Sequence, residues 1–331
     1  MELSIQNKSY TLNIMINLKK TYKGKKVLVT GHTGFKGSWL ISWLKILEAD
    51  IVGISKGIVS KPSHFSLLKI RSKLKNYFFD INDFNKLDHV FKKEKPEFLF
   101  HLAAQSLVPE SYKNPLNTFR TNSIGVANIM ECINRSKSLK SAIIVTSDKC
   151  YKNIEKNTGY RENEILAGDD PYSSSKSCAE LIFSSYCEII KKNSKVQVVS
   201  LRAGNVIGGG DWANNRIIPD LVKSIEKKKK FFLRNPHSTR PWQHVLEPIR
   251  AYLIIAAKIK SSRKKFTGES YNVGPNSNKT LTVKKLIKKI KFFKNIKFNY
   301  NKKLKIKEAK LLSLNVAKIK KTFDIFPILS M

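Results

Sequence analysis

Short apolar runs alternate with longer amphipathic stretches along residues 26–201. Lys26–Thr30 (KVLVT) is a β-branched run that predicts a first strand, and Ser38–Leu47 carries apolar positions at helical spacing. Further strands are predicted at Ile51–Ser55, Tyr77–Asp80, Phe98–Ala103, Ser141–Thr146 and Val196–Leu201. Helical patterns separate them at Phe84–Lys93, Asn117–Arg135 and Tyr172–Lys191. Strands alternating with helices imply βαβ units, hence an α/β fold with a doubly wound, Rossmann-type parallel sheet. Right-handed crossovers then gather the strand C-termini on one edge, where a ligand crevice forms. After Arg202 the pattern loosens through Gly208-Gly209-Gly210. It resumes as a helix over Ile217–Lys228, a strand-like Lys230–Leu233, a helical Val245–Lys258 and a Lys-rich, partly amphipathic Leu281–Lys321. This predicts a smaller domain built from the C-terminal third.

Three motifs carry chemistry. Gly31-His32-Thr33-Gly34-Phe35-Lys36-Gly37 joins the first strand to the first helix. Glycines there permit a tight turn and close approach of a pyrophosphate, which the helix N-terminus attracts. The spacing is G-x-x-G-x-x-G, and with Thr33, Phe35 and Lys36 it predicts a dinucleotide site. The acidic residue that would hold a ribose hydroxyl after the second strand is missing, and Ser55-Lys56 stands there. Lys56 would suit a 2′-phosphate, so this position does not exclude NADP. Asp80, after the third strand, is a candidate acceptor for an adenine amino group or a cap for the following turn, with Ile81 beside it.

Thr146-Ser147-Asp148-Lys149 lies at the C-terminal edge of the fifth strand. A hydroxyl, a carboxylate and an amine in sequence would supply a hydrogen-bond donor, a general acid and a general base. Tyr172 and Lys176 stand four residues apart on one helix face. A cationic Lys beside a phenol lowers its pKa and would ready it to take a hydroxyl proton.

The chain has 331 residues and a net charge of +37, which raises the question of a nucleic-acid partner. The distribution answers it. Residues 101–200 hold 13 basic and 10 acidic residues, a net of +3, while residues 251–331 hold 21 and 3, a net of +18. The excess is nearly all Lys, interleaved with Ile, Leu, Phe and Asn, rather than the Arg that grips phosphate bidentately. It reads as compositional background with a modest steering effect on an anionic substrate, and nucleic acid is not the expected partner. No apolar run reaches roughly 18 residues, no signal-peptide pattern opens the chain, and Cys132, Cys150, Cys178 and Cys187 lack metal-site spacing. A cytoplasmic protein without metal or membrane contact is the expectation.

Together these motifs resemble the extended short-chain dehydrogenase/reductases of the epimerase/dehydratase type. The strings VTGHTGFKGSWL (29–40), HLAAQSLV (101–108), TSDKCY (146–151), GYREN (159–163), DPYSSSK (170–176), RAGNVIGGGDWA (202–213) and RPWQHVLEP (240–248) are similar to the branch of nucleotide-sugar 4,6-dehydratases that uses CDP-glucose. The resemblance covers about residues 16–325.

It implies NAD as cofactor, with Gly31, Thr33, Gly34, Phe35, Lys36, Gly37, Asp80, Ile81, Leu102, Ala103, Ala104, Thr146, Tyr172 and Lys176 around it. It implies Ser147, Asp148, Lys149, Tyr172 and Lys176 as the catalytic set, with Lys149 as the C5 base. Gln105, Ser106, Arg202, Asn205, Arg216, Arg240 and His244 would line the nucleotide-sugar site, and Asn122 would be a buried structural residue.

The helices at 117–135 and 172–191 would pair in a homodimer. The product would feed deoxysugar and polysaccharide biosynthesis. The implied division is an extension or tail at 1–20, a nucleotide-binding domain at 21–202 with a later segment near 240–258, and a substrate domain at 203–331, shortened at its C-terminus. Met15 is a natural alternative start. Competing expectations are another nucleotide-sugar dehydratase or epimerase of this fold, and an inactive or polyanion-binding remnant.

Overall fold

The computed structural model describes residues 5–229, 231–233, 235–275, 281–289, 298–300 and 310–329. In chain order the first elements are α1 (Ile5–Tyr22), β1 (Lys26–Thr30), α2 (Phe35–Ile46), β2 (Asp50–Ser55), the short α3 (His64–Leu67), β3 (Lys75–Phe78), α4 (Phe84–Glu94) and β4 (Phe98–His101). Then come α5 (Val108–Lys113), α6 (Pro115–Phe119), α7 (Gly125–Arg135), β5 (Ser141–Val145), α8 (Pro171–Asn193) and β6 (Gln197–Ala203). The remainder holds β7 (Val206–Ile207), α9 (Ile217–Glu226), β8 (Phe231–Leu233), β9 (Thr239–Arg240), β10 (Gln243–His244), α10 (Leu246–Ser261), β11 (Ser270–Val273), β12 (Leu281–Thr282), α11 (Val283–Lys289), β13 (Phe298–Tyr300) and α12 (Ala317–Phe323).

One seven-stranded sheet runs in the order β11-β6-β5-β4-β1-β2-β3, with every pairing parallel. Its strands bury both faces, as parallel sheets must. Alternation along β1 shows how: Val27 and Val29 join the core under α1, α2, α10 and α12, while Leu28 joins the core under α4, α7 and α8. The strand order reverses between β1 and β4, so the crevice opens above their C-terminal ends. Three two-stranded ribbons pair β7 with β10, β9 with β12 and β8 with β13, and β7, β8, β9 and α9 supply residues to the other side of that crevice.

Several boundaries differ from the sequence expectation for physical reasons. The stretch read as an extension or tail at 1–20 is helical from Ile5, and α1 drives Leu18 and Tyr22 into the core, where the Tyr22 hydroxyl donates to the Leu253 carbonyl at 2.8 Å. β3 lies at Lys75–Phe78 rather than 77–80, because Asp80 starts a turn by accepting from the Asn82 N–H at 3.0 Å. The single helix expected over 117–135 begins at Pro115 and is interrupted by a π-turn at Arg120–Ile124. The sheet also takes a seventh strand, β11, from the C-terminal third. Of the strand-like stretch at 230–233, Lys230 lies outside the described residues, as do parts of the 281–321 stretch.

Candidate active site

The glycine turn is forced by close packing. Gly31 sits at φ +73°, and a Cβ there would lie 2.7 Å from the Ala103 amide nitrogen. A Cβ on Gly37 would lie 2.1 Å from the Gly31 carbonyl oxygen, so only glycine lets α2 start so near the strand. Gly34 is the N-terminal cap of α2 and gives no side-chain hydrogen bond, leaving the first-turn amides turned toward the crevice. This cradle, which any Cβ would fill, fits a dinucleotide pyrophosphate. Ser55 occupies the place of the missing acid. It hydrogen-bonds His32 Nδ1 at 3.0 Å and accepts from the Thr33 N–H at 3.3 Å, while His32 Nε2 meets Asn76 Oδ1 at 3.0 Å. Gly53 makes room for that imidazole, since a Cβ there would fall 2.5 Å from the ring. Lys56 is exposed and pairs with Asp80 at 3.1 Å. Burial works to raise Asp80, but the Asn82 N–H and Lys56 hold its carboxyl below the usual range.

The crevice is a cleft of about 850 Å³. Gly31, Thr33, Gly34, Phe35, Lys36, Gly37, Asp80, Ile81, Leu102, Ala103, Ala104 and Thr146 all line it, as do Ser147, Asp148, Lys149, Tyr172 and Lys176. The reactive set comes from two elements. β5 ends at Val145 and delivers Thr146 and the buried Ser147 and Asp148, with Lys149 half-buried beyond them. α8 starts one residue before Tyr172. Asp170 caps it by accepting from the Ser173 N–H at 3.0 Å, and Pro171 fills the first turn. Tyr172, Lys176 and Glu180 then follow at four-residue spacing. The π-turn aims Asn122 at the same region. Its Oδ1 accepts from the Gln105 N–H at 2.8 Å, and its Nδ2 donates to the Gln105 carbonyl and to Ser175 Oγ, both at 2.9 Å.

Charge in this cleft is set mainly by burial. Asp148 is pushed up by burial, against Lys149, a hydrogen bond from Ser147, Arg240 and Lys36. Its Oδ2 has no hydrogen-bond partner among the described residues. Burial of this kind favours the protonated carboxyl, the form that can donate to a departing oxygen. Lys176 is brought down to about 8 by burial, opposed by Glu180. Lys36 is brought down to about 8 by burial and by the Arg216 charge, with Asp148 opposing.

The expected effect of Lys176 on the phenol is not what dominates here. Burial raises Tyr172 to about 12, a hydrogen bond with Ser147 and the Arg216 charge work downward, and Asp148 works upward. Lys149 lies over the same ring, its Nζ 5.8 Å from the centroid.

The residues expected around the nucleotide sugar divide. Gln105, Ser106, Asn205, Arg216 and Arg240 line the cleft. Asn205 Oδ1 is buried without a partner among the described residues, which leaves an acceptor for a ligand. Arg216 reaches Asp211 at 3.1 Å and Ser106 Oγ at 2.9 Å. The Gln105 side chain is spent on Leu107 and Thr118.

Arg202 lies outside the cleft. It is buried, donates to Glu180 Oε2 at 2.7 Å, to the Tyr151 hydroxyl at 2.9 Å and to the Glu162 carbonyl at 2.8 Å, and so holds β6 to α8. His244 is also absent from the lining; its Nδ1 accepts from the Leu246 N–H at 3.2 Å at the start of α10. Two further residues of the 202–213 and 240–248 motifs belong to the site. Trp212 and Trp242 line the cleft, and their indole N–H groups are buried without partners among the described residues. A tryptophan inside a loop motif, with a donor to satisfy, was the signal that could have found them.

Comparison with known proteins agrees with this arrangement. A family model described as GDP-mannose 4,6 dehydratase matches residues 28–324. A CDP-glucose 4,6-dehydratase of Salmonella typhimurium is 43% identical over 277 residues, 82% of this chain and 77% of the relative. A UDP-glucose 4-epimerase of Mycoplasma genitalium is 29% identical over 90% of this chain and 91% of its own. Among solved structures, an epimerase from Methanothermobacter thermautotrophicus superposes with a TM-score of 0.82 at 22% identity, over 96% of this chain and 91% of that one. A dTDP-glucose 4,6-dehydratase from Streptomyces venezuelae, solved with NAD and TYD, superposes at 0.79 and 20% identity, over 92% and 93%. These two share the Rossmann-type sheet. With the family model spanning the nucleotide turn, the strand-edge acid and the Tyr-Lys helix, the chain belongs to the GDP-mannose 4,6 dehydratase family.

Proposed function

We propose that this protein is an NAD-dependent lyase that converts CDP-glucose to CDP-4-keto-6-deoxyglucose and water. The observation that carries the reading is the meeting, in one cleft, of Tyr172 and Lys176 with Lys149 and with a buried Asp148 oxygen that has no partner among the described residues. An epimerase needs the first pair but not an acid and a base for elimination. The 43% identity with the CDP-glucose enzyme supports CDP-glucose as the substrate.

The glycine cradle and the α2 amides would hold NAD, with Asp80 and Ile81 toward its adenosine end and Leu102, Ala103, Ala104 and Thr146 beside the nicotinamide. Bound there, NAD accepts a hydride and later gives it back. Tyr172 takes the C4 hydroxyl proton, and Ser147 hydrogen-bonds the same oxygen. The 4-keto group then acidifies C5–H, which Lys149 removes while Asp148 protonates the departing C6 hydroxyl. Arg216 and Arg240 face the diphosphate, for which a guanidinium fork is suited. Asn205 offers its bare carbonyl to the sugar.

A soluble nucleotide-sugar substrate supports a cytoplasmic enzyme. Among the described residues no helix is long and apolar enough to cross a membrane. Leu116, Ile124, Leu181 and Ile189 expose apolar surface on α6, the π-turn and α8, and this face would pair two copies into a homodimer.

The test incubates the purified protein with NAD and CDP-glucose and follows the alkali-induced absorbance of a 4-keto sugar. Signal with CDP-glucose is the expected result. Signal only with another nucleotide sugar would overturn the substrate assignment.

A further inference from the structure

The reaction leaves the enzyme's protons out of place. A hydride leaves C4 and ends on C6. The C5 proton goes to Lys149 and returns to C5. The C4 hydroxyl proton ends on Tyr172, whereas the proton in the departing water comes from Asp148. After one turnover Tyr172 has therefore gained one proton and Asp148 has lost one. One proton must move from the phenol to the carboxylate before the next substrate can react.

We propose that Ser147 makes this transfer, through the hydrogen-bonded file Tyr172–Ser147–Asp148. The inference rests on the dehydratase reading above. Ser147 Oγ donates to Asp148 Oδ1 at 3.1 Å and is hydrogen-bonded to Tyr172. The Lys149 N–H, which donates to the same Oγ at 3.2 Å, fixes the side chain between them. In the transfer the Tyr172 O–H bond breaks as a new O–H forms on Ser147. The proton that Ser147 already carried passes to Asp148 Oδ1. Serine ends as it began, the phenol becomes phenolate and the carboxylate becomes acid, so charge and atoms balance. A half-turn of the carboxyl then exchanges Oδ1 with Oδ2, the oxygen that has no partner among the described residues.

Burial favours an internal route. Ser147, Asp148 and Tyr172 are 6%, 3% and 8% exposed, so while product still fills the cleft the file is a shorter path than exchange with bulk water. The charges around the file divide over the transfer. Arg216 faces the phenol and favours its ionised form, against the like charges of Asp148 and Asp170, whereas Lys149, Arg240 and Lys36 face Asp148 and favour its carboxylate, so only burial of Asp148 works toward reprotonation. The same serine is thus asked to orient the C4 oxygen during chemistry and to reload the acid between cycles.

The two duties separate kinetically. Single turnover with enzyme in excess contains the chemistry alone, whereas steady state contains the reset as well. For Ser147→Ala we expect both rates to fall, the steady-state rate by roughly tenfold more than the single-turnover rate. We also expect imidazole, a small diffusible acid and base, to restore the steady-state rate at constant pH and ionic strength without changing the single-turnover rate. Ser147→Thr keeps the hydroxyl and should behave as wild type in both measurements. A proton inventory on the wild-type protein in mixed H2O and D2O provides a variant-free check: a bowed plot is expected, since two protons move together. Equal losses in both rates with no response to imidazole, or a linear inventory, would overturn the relay while leaving the dehydratase reading intact, because product still forms. Absence of any 4-keto product from the wild-type protein would overturn both.

Discussion

The two walls of the cleft are built differently. On one wall β5 and α8 place Ser147, Asp148, Lys149, Tyr172 and Lys176 from regular elements anchored in two cores. On the other, residues 204–242 hang Asn205, Arg216, Arg240 and two tryptophans on loops and strands of two or three residues. The first wall fixes positions by backbone periodicity. The second fixes them by individual side-chain contacts. Under the proposed reaction, chemistry that tolerates little displacement would sit on the first, and recognition of a flexible ligand on the second.

Substitutions should separate the walls. The largest loss is expected for Tyr172→Phe, which should cut kcat by about 10²–10⁴ while CDP-glucose binding by calorimetry is kept. Arg202→Met should instead fail as a fold. Removing one partner of the buried Glu180 pair costs about 3–5 kcal/mol, read as a lower Tm. Arg240→Met, at the cleft, should raise KM by roughly 10–100-fold, the loss of about 1.5–3 kcal/mol of charge-assisted bonding, with a smaller change in Tm. If Arg202→Met weakened substrate binding without lowering Tm, the division between the walls would be wrong.

A pH experiment probes the cations between the walls. Lys36 and Lys176 sit near 8 in the folded protein against 10.5 in the unfolded chain. At these two lysines the native state therefore binds fewer protons between pH 8 and 10.5, so they add stability as pH rises through that window, while the buried thiols of Cys132, Cys150 and Cys187, pushed up by burial, work the other way from about pH 9. Denaturant titration should show a shallower rise for Lys36→Met. The smallest effect is expected for Lys56→Ala. Its exposed pair with Asp80 contributes at most about 1 kcal/mol, and the Tm should barely move.

The same contrast explains what the sequence disclosed. β1, β2, β4, β5 and β6 are apolar runs between helical patterns, so the parallel sheet was legible, and so was the glycine turn. β11 was not: Ser270–Val273 (SYNV) is a four-residue strand with polar Ser and Asn, and the Asn272 side chain enters the interior because the Tyr160 and Asn315 carbonyls and the Tyr151 hydroxyl satisfy it. The π-turn in the 117–135 helix was hidden for a similar reason, since Asn122 bonds a loop and a helix distant in sequence. Arg202 and His244 stood in motif strings beside Asn205 and Arg240, and only the tertiary fold tells which way each side chain turns. The glycine turn marks Lys36 in the sequence, yet its charge acts together with Asp148, Arg216 and Lys176. Pairwise charge of that kind leaves no periodic trace.

The imidazole beneath β2 constrains how this nucleotide site can change through descent. Gly53, Ser55 and His32 occupy one another's space: the glycine admits the ring and the serine hydroxyl satisfies it. An acidic residue at position 55, of the sort that grips a ribose elsewhere, would arrive against a ring already seated there. A lineage reaching that chemistry has to replace His32 first and refill the void over Gly53 next. The three positions therefore change in a set order, and a bulkier residue at position 53 or an acid at position 55 is blocked for as long as His32 stays.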